Sequence, residues 1–179
     1  ARAVYEGREV LMFGSNDYLG LAADARIKQT AIDAIRRFGT GQGGAPLVCG
    51  YTVLHKELEN RLAAFLGRQA CMLFPSGYQA NVGTLSALAD ADDSVICDRF
   101  CHASIIDGAI LSKGRFERFG HNDAEDLRHK LVGVPTGNRL VIVDGVYSMQ
   151  GHLARLPEIA DAVRQTDAML IVDDAHGFG

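Results

Sequence analysis

The sequence predicts an α/β fold in which a mostly parallel central sheet is flanked by helices. Short apolar runs without polar alternation recur along the chain, as is typical of strands buried on both faces of a parallel sheet. Stretches with apolar residues at helical spacing lie between these runs, and strands that alternate with helices indicate parallel βαβ units. The chain has 179 residues, 47% of them hydrophobic, which is enough for one sizeable core.

The first part of the chain predicts an arm followed by two amphipathic helices. Residues 8–13 suggest a short strand within an N-terminal arm that covers residues 1–23. The first helix spans residues 24–38 and ends at Gly39, because glycine tolerates the left-handed conformation of a helix C-terminus. The second helix spans residues 54–66.

The remaining elements alternate as βαβ units require. Strands are predicted at residues 71–74, 94–98, 140–144 and 168–173. Helices are predicted at residues 78–89, 103–112, 123–131 and 157–164. The third of these helices has Asn122 and Glu125 at the positions of a capping box.

Composition limits the class of partner. The net charge of -4 and the lack of a basic block give no electrostatic footprint for a nucleic acid. No apolar run reaches the roughly 20 residues that span a bilayer, and the first residues lack the apolar core of a signal peptide. The four cysteines form no Cys-x-x-Cys pair and are expected to be buried, reduced thiols. We therefore expect a cytoplasmic protein whose partner is a small molecule, not a nucleic acid or a membrane.

The first predicted strand of the sheet leads into a turn that could hold an anion. In a parallel α/β sheet, ligands bind beyond the carboxyl ends of the strands. After residues 71–74 come Ser76, Gly77 and Tyr78, where a helix begins and directs free backbone N–H groups towards an anion. These residues predict a phosphate site. The structural alternative is a plain turn that needs Gly77 for its backbone angles.

The other strand ends carry further polar side chains. His102 follows the second strand and Ser148 the third, and each of them singly could equally have a structural role. Asp173 ends the fourth strand, shortly before His176. A carboxylate in this position is costly to bury unless a positive group compensates its charge. A basic side chain, a metal ion or the protonated ring nitrogen of a cofactor such as pyridoxal phosphate (PLP) would meet that need.

Read in order, these segments resemble the α-oxoamine synthases, a family of PLP-dependent enzymes. The resemblance covers essentially the whole chain and rests on blocks in the family's order: residues 15–20, 55–59, 76–81, 98–108, 121–123, 145–149 and 172–176. It implies the aspartate aminotransferase-like (fold type I) large domain of the PLP-dependent transferases, of which residues 24–179 would be the N-terminal portion. The family's cofactor-bearing lysine and small C-terminal domain are expected beyond Gly179.

The resemblance also implies roles in cofactor binding. The segment of Ser76, Gly77 and Tyr78 would bind the cofactor phosphate, mainly through the backbone of its last two residues. His102 would stack on the pyridine ring, and Asp173 would pair with the pyridine nitrogen.

Further roles concern the surroundings of the cofactor. Ser148 and His176 would form hydrogen bonds near its phenolic oxygen and phosphate. His102, Asp173 and His176 are the implied catalytic residues. Asn16 and His102 would contact the substrate.

The implied reaction condenses an amino acid with an acyl-CoA or acyl-carrier thioester, usually with loss of carbon dioxide, in a homodimer. Chemistry like that of 8-amino-7-oxononanoate synthase is favoured over that of glycine C-acetyltransferase or serine palmitoyltransferase, because Gly77 and Tyr78 stand where glycine acetyltransferases commonly have Cys-Phe. One departure is Pro46, which stands where many relatives have an arginine, so the acyl specificity is expected to differ.

Alternatives of other classes remain open at this stage. Asp173 and His176, with His102 or His121, could be ligands in a metal-dependent hydrolase. A non-catalytic dimerising partner is another interpretation. Gly39, Gly41 and Gly44 spell G-x-G-x-x-G, but the pattern follows a helix instead of a strand and so does not indicate nucleotide binding.

Overall fold

The computed structural model describes residues 2–134 and 137–178 and consists of two compact units, Ala1–Met72 and Leu73–Gly179. The first unit opens with an antiparallel pair of strands, β1 (Arg2–Tyr5) and β2 (Arg8–Leu11). Glu6 and Gly7 join them with positive φ values of 49° and 76°, as a two-residue hairpin turn requires. The predicted strand at residues 8–13 is thus confirmed in a shorter form, whereas β1 was not predicted.

Two helices form the rest of this unit, as predicted. They are α1 (Ala25–Phe38) and α2 (Val53–Phe65). Asp24 caps α1 by accepting the N–H of Arg26, and Gly39 follows the helix with a φ of 82°. A 3-10 turn (Leu21–Ala23) and a π-helical turn (Pro46–Gly50) complete the unit. The predicted division into an arm and a larger domain stays a prediction.

The second unit is built on a parallel sheet of four strands in the order β4-β3-β5-β6. The strands are β3 (Ser94–Asp98), β4 (Arg115–Phe119), β5 (Arg139–Asp144) and β6 (Met169–Asp173). The helices are α3 (Gly77–Leu88), α4 (Ala103–Leu111), α5 (Ala124–Gly133) and α6 (Leu156–Arg164). The α/β prediction is therefore confirmed, with three of the four predicted strands and all four predicted helices of this region present.

The core lies on both faces of the sheet, because successive strand residues point to opposite faces. On one face, Val95 and Ile142 pack with residues of α3 and α4. On the other face, Ile96 and Val141 pack with residues of α5 and α6. This layering places the first turns of α3 and α4 on the same face, where both begin near the carboxyl edge of the sheet.

Three local predictions were wrong. Residues 71–74 form no strand, and Met72 is 74% exposed, unlike a residue of a strand buried on both faces. Strand β4 was missed because it is an edge strand whose charged residues interrupt the apolar pattern. The cap of α5 is Asp123, which accepts the N–H groups of Glu125 and Asp126, and not Asn122.

Candidate active site

A pocket at the carboxyl edge of the second unit's sheet brings together most of the predicted site residues. Its walls are the first turns of α3 and α4 and the segments that follow β5 and β6. Among the residues that line it are Gly77, Tyr78, His102, Ser148, Asp173 and His176. This arrangement follows from the parallel topology, because the carboxyl ends of neighbouring strands meet at one edge.

The first turn of α3 presents backbone donors to this pocket. Ser76 is the cap of the helix, and its Oγ accepts the N–H of Gln79 at 3.2 Å. Helix geometry leaves the N–H groups of Gly77 and Tyr78 without an intrahelical carbonyl partner. Gly77 has no left-handed φ, and a Cβ added there meets nothing within 4 Å. The backbone conformation therefore does not require glycine at position 77. What a side chain would change is the open space in front of the two N–H donors.

Tyr78 is tied to the neighbouring helix by its hydroxyl group. Its OH donates to Oδ2 of Asp107 in α4 at 2.7 Å. The pKa of the Tyr78 phenol is raised above its ordinary value. The hydrogen bond to Asp107 is the larger cause and partial burial the smaller one. The phenol therefore stays neutral and anchors the first turn of α3 to α4.

His102 caps the helix that begins behind it. Its Nδ1 accepts the backbone N–H of Ser104 at 3.2 Å and lies 2.7 Å from Oγ of the same serine. The backbone N–H of His102 donates to Oδ1 of Asp144 at 3.4 Å. These contacts fix the imidazole at the edge of the pocket, while the residue as a whole stays exposed.

Asp173 ends β6 as a half-buried carboxylate. Its Oδ2 accepts Nδ2 of Asn81 at 2.7 Å, and its Oδ1 accepts the N–H of Ala175 at 3.1 Å. Within residues 2–134 and 137–178, no lysine, arginine or histidine forms an ion pair with it. The positive partner expected from the sequence is therefore not supplied by the described part of the chain.

A second carboxyl group lies beside Asp173. Asp144 and Asp173 are paired in the register of β5 and β6, and Asp144 is only 4% exposed. Burial raises the pKa of Asp144 and the nearby Asp173 raises it further, while the N–H of His102 partly opposes the shift. Two adjacent carboxyl groups thus differ in environment, with Asp173 the more exposed of the pair.

The sequence did not single out Asn81, Ser104 and Asp144, which also line the pocket. Asp144 could have been found by the signal that identified Asp173, because both end an apolar strand. Asn81 and Ser104 carried no such signal, because their contact joins two helices that are 23 positions apart in sequence.

Ser148 and His176 line the pocket as predicted, the first exposed and the second half-buried. Asn16 belongs to the first unit, where the hydroxyl of Tyr18 donates to its Oδ1 at 3.4 Å. Its contact with a substrate stays a prediction.

His121 does not line this pocket. Its Nδ1 lies 3.0 Å from Oδ1 of the buried Asp98, and its Nε2 lies 3.0 Å from Nδ1 of His152. Across the described residues, no group of three His, Cys, Asp or Glu side chains is placed to hold a metal ion. None of the helices in the described part of the chain is long and apolar enough to cross a membrane.

Comparison with known proteins identifies relatives of the whole chain. The family model for aminotransferase class I and II matches residues 8–179. The 8-amino-7-oxononanoate synthase of Geotalea daltonii is 48% identical over 181 residues, which cover 100% of this chain and 46% of that protein. The chain therefore spans about half the length of the curated relatives it matches.

Solved structures give the same assignment. Serine palmitoyltransferase from Sphingomonas wittichii superposes with a TM-score of 0.93 at 36% identity, covering 96% of this chain and 43% of that one. A serine palmitoyltransferase variant from S. paucimobilis, solved with PLP and myriocin bound, has a TM-score of 0.92 at 35% identity, with the same coverage of 96% and 43%. The predicted resemblance to the α-oxoamine synthases and the fold type I large domain are confirmed.

Proposed function

This chain belongs to the aminotransferase class I and II family, and from that premise we propose that the whole protein is a PLP-dependent acyltransferase. It condenses an amino acid with an acyl-CoA or acyl-carrier thioester, usually with loss of carbon dioxide, as an 8-amino-7-oxononanoate synthase does. Support comes from relatives of that name that are 48% identical and from a similar structure that holds PLP.

The observation that carries the proposal is the pairing of two complementary features in one pocket. Asp173 is a half-buried carboxylate without a cationic partner among the described residues, and the first turn of α3 offers unused N–H groups beside an open Gly77. PLP has a phosphate at one end and a basic ring nitrogen at the other. The residues present therefore fit this cofactor, with Gly77 and Tyr78 at its phosphate and Asp173 at its ring nitrogen.

When bound, PLP supplies an electron sink for the bond that breaks at the substrate's α-carbon. Asp173 would hold a proton on the ring nitrogen, because a carboxylate stabilises the positive charge there. Ser76 keeps the first turn of α3 in place, and its helix dipole favours the phosphate. His102, fixed by its capping contacts, would limit the orientation of the ring and contact the substrate, while Ser148 and His176 also line the pocket.

The lysine that binds the cofactor in this family is expected beyond Gly179. Lys28 and Lys56 lie on α1 and α2, which belong to the first unit. Lys113 and Lys130 belong to the second unit but are not among the residues that line the pocket. Catalysis is therefore proposed for the whole protein and not for residues 1–179 alone.

The finer features of the proposal concern specificity and assembly. Glycine C-acetyltransferase and serine palmitoyltransferase activities are the alternatives within the family, and Pro46 is expected to alter acyl specificity. We also propose that the whole protein is a homodimer and that it is located in the cytoplasm. Apolar residues of α1 support the dimer, because Ile27, Ile35 and Phe38 are 47%, 51% and 41% exposed in this chain. Light scattering of the whole protein tests that part.

The activity itself is tested by incubating the whole protein with PLP, a panel of amino acids and acyl-CoA thioesters of graded chain length. We expect release of free CoA thiol that requires both substrates. Asp173→Asn should lower turnover by roughly a hundredfold, the usual effect of losing one preorganised electrostatic partner. Asp167→Asn is the matched control, because Asp167 is exposed just before the opposite end of β6. Turnover by Asp173→Asn equal to that of the control would contradict the proposed role.

A further inference from the structure

One amide group connects the two most important side chains of the pocket. Nδ2 of Asn81, in α3, lies 2.7 Å from Oδ2 of Asp173 and 2.8 Å from Oγ of Ser104. Ser104 in turn lies 2.7 Å from Nδ1 of His102. A continuous chain of hydrogen bonds thus runs from the strand end that carries Asp173, through α3, to the imidazole that caps α4.

The direction of each hydrogen bond follows from the chemistry of the groups. An ionised carboxylate only accepts, so the amide nitrogen and not the amide oxygen faces Asp173. The second N–H of the same amide donates to Ser104, whose own hydrogen is then available to His102. Nδ1 of His102 accepts the backbone N–H of Ser104 and also lies 2.7 Å from the hydroxyl oxygen, so the two donors share its single lone pair. The ring hydrogen of the neutral imidazole therefore lies on Nε2, which is a donor.

The packing of α3 against α4 holds this geometry. A Cβ added to Gly108 would lie 3.1 Å from the backbone oxygen of Asn81 and 3.1 Å from Cα of Val82. The two backbones therefore approach closely one turn beyond Ser104, which is itself completely buried. Asn81 has little freedom to leave its position between the two acceptors.

We propose that Asn81 is a positioning residue for the cofactor site. It orients the carboxylate of Asp173 towards the pocket and, through Ser104, holds His102 as the Nε2–H tautomer. This inference rests on the proposed function, since Asp173 and His102 are its cofactor contacts. His102 consequently offers a hydrogen-bond donor at Nε2, which suits an acceptor oxygen of a substrate, such as a carboxylate or thioester carbonyl.

A double-mutant cycle on PLP affinity tests the positioning role in the whole protein. Asn81→Ala should raise the Kd for PLP by about tenfold in the native background, as expected for the loss of one hydrogen bond to a charged group. In an Asp173→Asn background the same change should raise the Kd for PLP by less than about twofold, because the group that Asn81 orients is already altered. A merely structural effect would be the same in both backgrounds, and equal factors would overturn the proposal. Ser86→Ala is the control, because Ser86 is exposed on α3 and, among the described residues, its hydroxyl donates to the carbonyl of Val82 in the same helix.

An exchange of the two side chains tests the contact without any cofactor. Asn81→Asp alone should lower the urea midpoint of the cofactor-free whole protein, because two carboxylates would meet at the present 2.7 Å contact. Adding Asp173→Asn restores one donor and one acceptor in reversed order, and the midpoint should recover while PLP affinity should not. No recovery of the midpoint would refute the contact. If the midpoint recovers but no variant, nor the native protein, binds PLP, the proposed function fails while the contact stands. Should Asn81→Ala not fold, Asn81→Ser takes its place in the affinity cycle, because it also removes the amide that contacts Asp173.

Discussion

Helix α4, which His102 caps and which contains Ser104, packs on the sheet partly through one buried isoleucine, and this packing can be tested by a matched pair of substitutions. Ile105 in α4 is 0% exposed and packs with Val95, Leu140 and other residues of the first core face. Ile110 on the same helix is 63% exposed. Truncation of a fully buried isoleucine to alanine removes its transfer free energy and leaves a cavity, at a cost of about 2–5 kcal/mol. Truncation of the exposed residue loses little packing and gains a few tenths of a kcal/mol of helix propensity.

We therefore expect Ile105→Ala to lower the free energy of unfolding by about 2–5 kcal/mol, and Ile110→Ala to change it by less than about 0.5 kcal/mol. The assay is urea unfolding of the cofactor-free whole protein, followed by circular dichroism at equal protein concentration. The denaturant slope should stay the same, so that the midpoint reports stability. Equal midpoints for the two variants would refute the core position of Ile105 and the anchoring of the site that depends on it.

Three further changes test individual parts of the site. Ser76→Ala should cost about 1 kcal/mol in urea unfolding, because α3 loses the side chain that caps it; an unchanged midpoint would contradict the cap. Gly77→Ala should leave stability unchanged or slightly raised yet weaken PLP affinity by on the order of tenfold. Native affinity in a fluorescence titration would show that the phosphate does not lie there. Asp144→Asn should be more stable than the native protein by an amount that grows as pH rises above the ordinary aspartate pKa, roughly 4. The reason is that burial raises the pKa of the folded Asp144 carboxyl, so its ionisation disfavours the folded state, and this cost is absent below the ordinary pKa. Thermal melts between roughly pH 4 and pH 8 that showed a constant difference would contradict this sign.

The fold could be predicted where local pattern and tertiary environment agree. Strands β3 and β5 are buried on both faces, so their continuous apolar runs identify them directly. Strand β4 lies at an edge, where Glu117 accepts hydrogen bonds from both Arg115 and Lys130, and the sequence of the strand resembles a polar loop. The opposite error arose at residues 71–74, where the apolar run predicted a buried strand but Met72 is 74% exposed and the residues form no strand.

The site could be predicted from residues that stand at strand ends, because position along the sequence there gives position in space. Asp173 and His102 were found in this way, and both line the pocket. Asn81 could not be found, because its partners lie 23 and 92 positions away in sequence and the contact with Ser104 depends on how closely α3 approaches α4. That approach is set by the missing side chain of Gly108, which local patterns do not report.

The measurement that tests the central claim most directly is the absorption spectrum of the whole protein with PLP, before and after treatment with borohydride. The account predicts a near-visible band that borohydride abolishes, with the cofactor left attached to one lysine outside residues 1–179. No band, or attachment to Lys28, Lys56, Lys113 or Lys130, would contradict it.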